Sequence, residues 1–203
     1  MRLTSEIIDD RIVMRHPAHP ARDLRFGSGI MWPGNEMGPY DVGWSWYNGC
    51  GWIATYNAAL LMGRVINPAE IIRFYESING ALLTGVFGLN PAAVNVFFRS
   101  IGVTPLTHHM PTSVDDLIRG STVSVLAYVR NNLSAHYVTV FYDQASGMFR
   151  VFNDGWAWAA DGSGQAPFEG DYMVGSATIP SVDEWLQNDV NNIWRPLTVT
   201  TLR

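Results

Sequence analysis

Thr122-Val123-Ser124-Val125-Leu126-Ala127-Tyr128-Val129 marks the point where this chain changes its structural period. The run is rich in β-branched residues, partly alternating, and free of charge, glycine and proline, which is the pattern of a buried strand. Two further strand-like runs follow, His136-Tyr137-Val138-Thr139-Val140-Phe141-Tyr142 and Phe149-Arg150-Val151-Phe152-Asn153. The polar turn Asp143-Gln144-Ala145-Ser146-Gly147 between them predicts an antiparallel hairpin. Beyond it, Asp161 to Gln165 reads as a loop and Tyr172 to Ile179 as a strand. Ser181-Val182-Asp183-Glu184 is a capping box opening a helix to about Asp189, and Leu197 to Leu202 is a closing strand.

Before Thr122 the signals are helical. A helix is predicted from about Gly51 to Met62, with Gly63 as its left-handed stop. Asn67-Pro68-Ala69-Glu70 combines an N-cap, a first-position proline and an acidic first turn, and opens a helix to about Ile78. Asn90-Pro91 repeats the signal for a helix to Ile101, stopped by Gly102, and a short helix runs from Ser113 to Arg119. Gly80 to Gly88 reads as a connection and His108-His109 as loop. Helices first and strands afterwards imply an α+β fold, with the 51–62 helix packed on a C-terminal antiparallel sheet. Residues 1–47, rich in proline, glycine and tryptophan, are expected to be an irregular lead wrapping the body of a single 1–203 domain.

The chain has 203 residues, 47% hydrophobic, with a net charge of −5 and no run of basic residues. Length and apolar content suit one well-filled core. The charge balance argues against nucleic acid and anionic membranes as partners. No apolar stretch approaches the roughly 20 residues that span a bilayer. The first ten residues lack the pattern of a secretory signal, and a single cysteine forms no internal disulfide, so a cytoplasmic location is expected. His16 and His19 lack the partners of a metal site, and neither metal nor cofactor is implied.

That cysteine, Cys50, opens the 51–62 helix, where the positive end of the helix dipole and unpaired backbone N–H groups favour thiolate over thiol. Gly49 and Gly51 flank it and allow a sharp turn and close approach of a substrate. The predicted hairpin puts His136, at the start of one arm, beside Asn153 and Asp154 at the end of the other. A thiol, an imidazole and a carboxylate or amide, in that order, are the parts of a base-activated nucleophile with an orienting third group.

Cys50-Gly51 opening a helix, His136-Tyr137-Val138-Thr139-Val140 after a hydrophobic strand, and Asn153-Asp154-Gly155 closing the next strand together resemble the papain-like cysteine peptidases, and within them the C39-like peptidase family. The resemblance spans about residues 44 to 155. It implies a papain-like fold, a peptide or protein substrate and hydrolysis of a peptide or amide bond. Cys50 would be the nucleophile, His136 the general base and then acid, and Asp154 the group that orients the imidazole, with Asn153 the alternative third member. Papain-like enzymes usually carry an oxyanion-hole glutamine before the cysteine, and no glutamine here precedes Gln144. Where the chain departs from that pattern, the Asn48 side chain is the candidate donor, with the Cys50 backbone N–H as second donor, and the indole N–H of Trp44 or Trp46 is the alternative. Trp52 and Trp156 join Gly49 and Gly51 as candidate walls of a substrate cleft. The departure at glutamine also leaves open a binding module on the same scaffold, and an acyltransferase or deamidase using the same thiol. The sequence does not set an oligomeric state.

Overall fold

The computed structural model describes residues 4–8, 11–15, 24–25, 50–66, 68–80, 89–129, 135–153, 168–169, 172–173, 176–188 and 197–203. In chain order the elements begin with β1 (Thr4–Ile8), β2 (Arg11–Arg15) and β3 (Leu24–Arg25). Helices α1 (Cys50–Leu61), α2 (Pro68–Ser77) and α3 (Pro91–Ser100) follow. Next come β4 (Pro105–His109), α4 (Asp115–Arg119), β5 (Val123–Val129), β6 (Ala135–Asp143) and β7 (Met148–Phe152). The last are β8 (Phe168–Glu169), β9 (Tyr172–Met173), β10 (Ser176–Ile179), α5 (Val182–Asn188) and β11 (Thr198–Leu202). The expected α+β class is what is observed. Among the described residues no helix is long and apolar enough to cross a membrane.

The principal sheet has six strands in the order β10-β7-β6-β5-β11-β4, and every neighbouring pair is antiparallel. Its central strand explains why Thr122–Val129 carries so little polarity: both faces are covered. Val123, Val125 and Ala127 enter one core with Trp52, Ala54 and Ala58 of α1, Ile71 and Tyr75 of α2, and Phe97 and Phe98 of α3. Leu126 and Tyr128 enter a second core with Ile118 of α4 and with Val182, Trp185 and Leu186 of α5. Strand periodicity of two thus distributes one run of residues between two layers of helix.

Helix α1 is buried almost all round, at Gly51, Trp52, Ala54, Thr55, Asn57, Ala58 and Ala59. Such a helix belongs to an interior rather than a surface, and its small residues let it approach the sheet closely. It is tied to β6 by the Thr139 hydroxyl, which donates to the Ala54 carbonyl at 2.6 Å. It ends as the sequence predicts. Gly63 adopts φ +71°, its N–H donates to Leu60, and the Arg64 N–H reaches back to Ala59 at 2.8 Å. Helix α3 likewise begins with Asn90, whose side chain accepts from the Ala92 N–H.

Helices α4 and α5 cap one another. Asp183 accepts from the backbone N–H groups of Val114 and Asp115, and Asp115 accepts from those of Val182 and Asp183. The Ser181 hydroxyl accepts from the Glu184 N–H at 3.1 Å, the first half of the predicted capping box.

Three expectations are corrected. The lead 1–47 is not wholly irregular, since β1, β2 and β3 form a three-stranded antiparallel sheet with Thr4 opposite Arg15 and Ile8 opposite Arg11. The β-branched residues on either side of Asp9-Asp10 carry that signal. His108 and His109 end the edge strand β4 rather than lying in a loop, because β11 supplies a pairing partner for the whole of Pro105–His109. The 172–179 segment forms two short strands in different sheets instead of one.

Candidate active site

Cys50 is the first residue of α1 and is partly exposed. His136 is the second residue of β6 and sits directly opposite Tyr128 of β5. Asn153 immediately follows β7 with φ +67°, a left-handed conformation that asparagine tolerates better than most residues. Both His136 and Asn153 are 8% exposed. The antiparallel pairing of β6 with β7 is what brings 136 and 153 together, as the hairpin predicts.

Asn153 joins the other two. Its main-chain carbonyl lies 2.6 Å from Nε2 of His136. A carbonyl only accepts, so Nε2 carries the proton and the neutral imidazole has its lone pair on Nδ1. The Asn153 side chain turns elsewhere: Nδ2 donates to the Cys50 carbonyl at 3.0 Å and to the Tyr137 carbonyl at 2.7 Å. The imidazole therefore meets the main chain of Asn153, not its amide. On its other side the His136 ring stands edge-on to Tyr128, with centroids 5.6 Å apart, and Tyr128 in turn stands edge-on to Trp185 of α5.

Side chains alternate along β6. Tyr137 and Thr139 face α1, whereas Val138 and Val140 enter the core shared with α4 and α5, and His136, opposite Tyr128, is in phase with these two at the end of the strand. The Tyr137 hydroxyl donates to the Leu89 carbonyl at 2.6 Å. Leu89 itself closes against α1: a Cβ placed on Gly51 would lie 2.6 Å from the Leu89 Cβ. Burial pushes the Tyr137 phenol well above its ordinary range, and the charge of Cys50 adds to the effect. Behind it, burial likewise raises Tyr75, whose hydroxyl is 2.7 Å from that of Thr55. Thr55 also donates to the Gly51 carbonyl at 2.8 Å, so the first turn of α1 rests on a neutral, hydrogen-bonded floor.

Gly51 and Trp52 are both buried, Trp52 at 1% exposure within the core. They form the support of the cysteine turn, and the requirement for glycine at 51 comes from Leu89. Asn48, Gly49, Asp154 and Trp156 lie outside the described residues. Among the described residues no group of three His, Cys, Asp or Glu side chains forms a metal-binding cluster. Tyr137, Thr139 and Leu89 are the contributors that motif reasoning misses. The signal for the first two is the alternation after His136, which sends 137 and 139 toward the helix.

No family model matches the chain, and no curated protein matches it. Among solved structures it is similar to the Pseudomonas avirulence protein AvrPphB, at 14% identity and a TM-score of 0.36, over 76% of this chain and 90% of that one. A likeness of that size assigns no role to any residue here.

Proposed function

We propose that this chain is a thiol amidohydrolase acting on a peptide or protein substrate, with Cys50 as nucleophile and His136 as base and acid. In the first step the Cys50 thiol gives its proton to Nδ1 of His136 and the sulfur forms a bond to the substrate carbonyl carbon. The tetrahedral adduct collapses as the C–N bond breaks and the imidazolium protonates the leaving amine. Water then gives a proton to Nδ1 and adds to the thioester; the C–S bond breaks, an acid is released and the thiol is restored. Asp154, which directly follows the carbonyl that receives Nε2–H, is assigned the carboxylate that stabilises the imidazolium. Asn48 and the Cys50 N–H are assigned to the oxyanion.

One observation carries the reading. The residue that opens α1 and the histidine second in β6 are both hydrogen-bonded to Asn153, and the bond to the ring is the one that leaves Nδ1 basic.

Iodoacetamide labelling of Cys50 followed by intact-mass spectrometry tests it. Rapid alkylation at about pH 6, slowed in His136→Ala, is expected, because an unperturbed thiol ionises near 8.5. Turnover of a peptide library should vanish in both Cys50→Ala and His136→Ala. A Cys50 no more reactive than free cysteine, with no turnover, leaves only a binding role.

A further inference from the structure

We infer that Asn153 is a positioning residue, which fixes the start of α1 along β6 through its amide and so sets the sulfur relative to the imidazole. The inference rests on the thiol-hydrolase reading of Cys50 and His136.

The argument starts from donor capacity. An asparagine amide has two N–H groups, and both are used on carbonyl oxygens that belong to different elements, Cys50 of α1 and Tyr137 of β6. A carboxylate of the same size would present only acceptors to those two acceptors. A hydroxyl would have one proton for two. The left-handed backbone at φ +67° narrows the choice further, since asparagine and glycine adopt it most readily and glycine has no amide. Asn153 is thus the residue whose chemistry meets both demands at once.

Tyr137 adjoins His136 in the chain, and Cys50 carries the sulfur. A clamp between their carbonyls therefore fixes the backbone of the cysteine turn relative to the strand that carries the imidazole. Leu89 also packs closely against Gly51, so the first turn of α1 has a second contact beside the Asn153 amide. Displacement of about 1 Å between a nucleophile and its partner costs on the order of 10²-fold in rate, and a clamp of this kind governs that quantity.

The test compares the full-length wild-type chain with Asn153→Gly and Asn153→Asp by the pH dependence of Cys50 alkylation with iodoacetamide, alongside thermal unfolding. Asn153→Gly keeps the left-handed backbone and the carbonyl that meets Nε2, and removes the amide alone. Its alkylation should be slowed at least about tenfold near pH 6 and approach the wild-type rate above about pH 9, where any thiol is ionised. A loss of stability without repositioning would leave the profile of the folded protein unmoved. If Asn153→Gly does not fold, Asn153→Asp, equal in size, carries the test. Its deficit relative to wild type should be greater at neutral pH than near pH 4, where a protonated carboxyl regains one donor. A wild-type profile depressed below that of free cysteine but unchanged in these variants overturns the inference alone. An ordinary thiol profile in the wild-type chain overturns the hydrolase reading, and the inference with it.

Discussion

The carbonyl oxygen of Asn153 and Nε2 of His136 are 2.6 Å apart, so a main-chain group fixes the tautomer of the imidazole. Two-bond ¹⁵N–¹H correlation spectra should show His136 protonated at Nε2 and basic at Nδ1 when neutral. The opposite tautomer would contradict this hydrogen bond.

Removing the imidazole should be felt in rate more than in folding. Positioned general bases contribute about 10²–10⁴-fold, so His136→Ala should lower turnover by that range in any substrate assay that Cys50→Ala abolishes. His136→Gln, which retains a donor for the Asn153 carbonyl, should melt close to wild type and remain equally slow.

Gly51→Ala places its Cβ within 2.6 Å of the Leu89 Cβ, a distance that backbone or side chain must relieve. Overpacking of this kind costs about 1–3 kcal/mol, measurable as a lowered denaturation midpoint. Combined with Leu89→Gly, the pair should cost less than the sum of the two separate changes, because removing the Leu89 Cβ opens the space that alanine needs.

Asp115 and Asp183 each cap the other's helix. Loss of a cap costs about 0.5–2 kcal/mol, and either aspartate replaced by alanine should fall in that range. Since losing one cap loosens the helix that bears the other, the double replacement should cost less than the sum. Strict additivity by urea denaturation would separate the two helices energetically.

Alkali should expose the neutral floor beneath α1. Tyr75 and Tyr137 are both raised above the ordinary phenol value of about 10 by burial. A raised folded-state value means that their contribution is complete below about pH 10 and is lost as pH climbs beyond it. Absorbance at the tyrosinate band should therefore show these two ionising together with unfolding, later than exposed tyrosines.

Much of this architecture is readable in the residues. The Gly63 stop, the Asn90 cap, the Ser181 cap and the 136–153 hairpin are local events, each settled by turn or capping chemistry within a few positions. Strand β4 is different. Only Pro105 of its five residues is buried, its alternation is weak, and its strand character comes from pairing with β11, about 93 residues away at Thr107 and Thr200. At the site, Cys50, His136 and the 153–154 corner stand out as residue types. That a backbone carbonyl meets the imidazole does not, because every residue has one and only the course of the chain decides which is used.

Strand β5 divides its side chains between two separate cores, and a shift by one residue would send leucine and tyrosine where valine and alanine now fit. Slippage is thus penalised twice over. Because Tyr128 faces His136 across the ladder, the histidine inherits its station from apolar matching deep inside the molecule. Substitutions in either interior, remote from Cys50, can consequently shift the imidazole while leaving it in the chain.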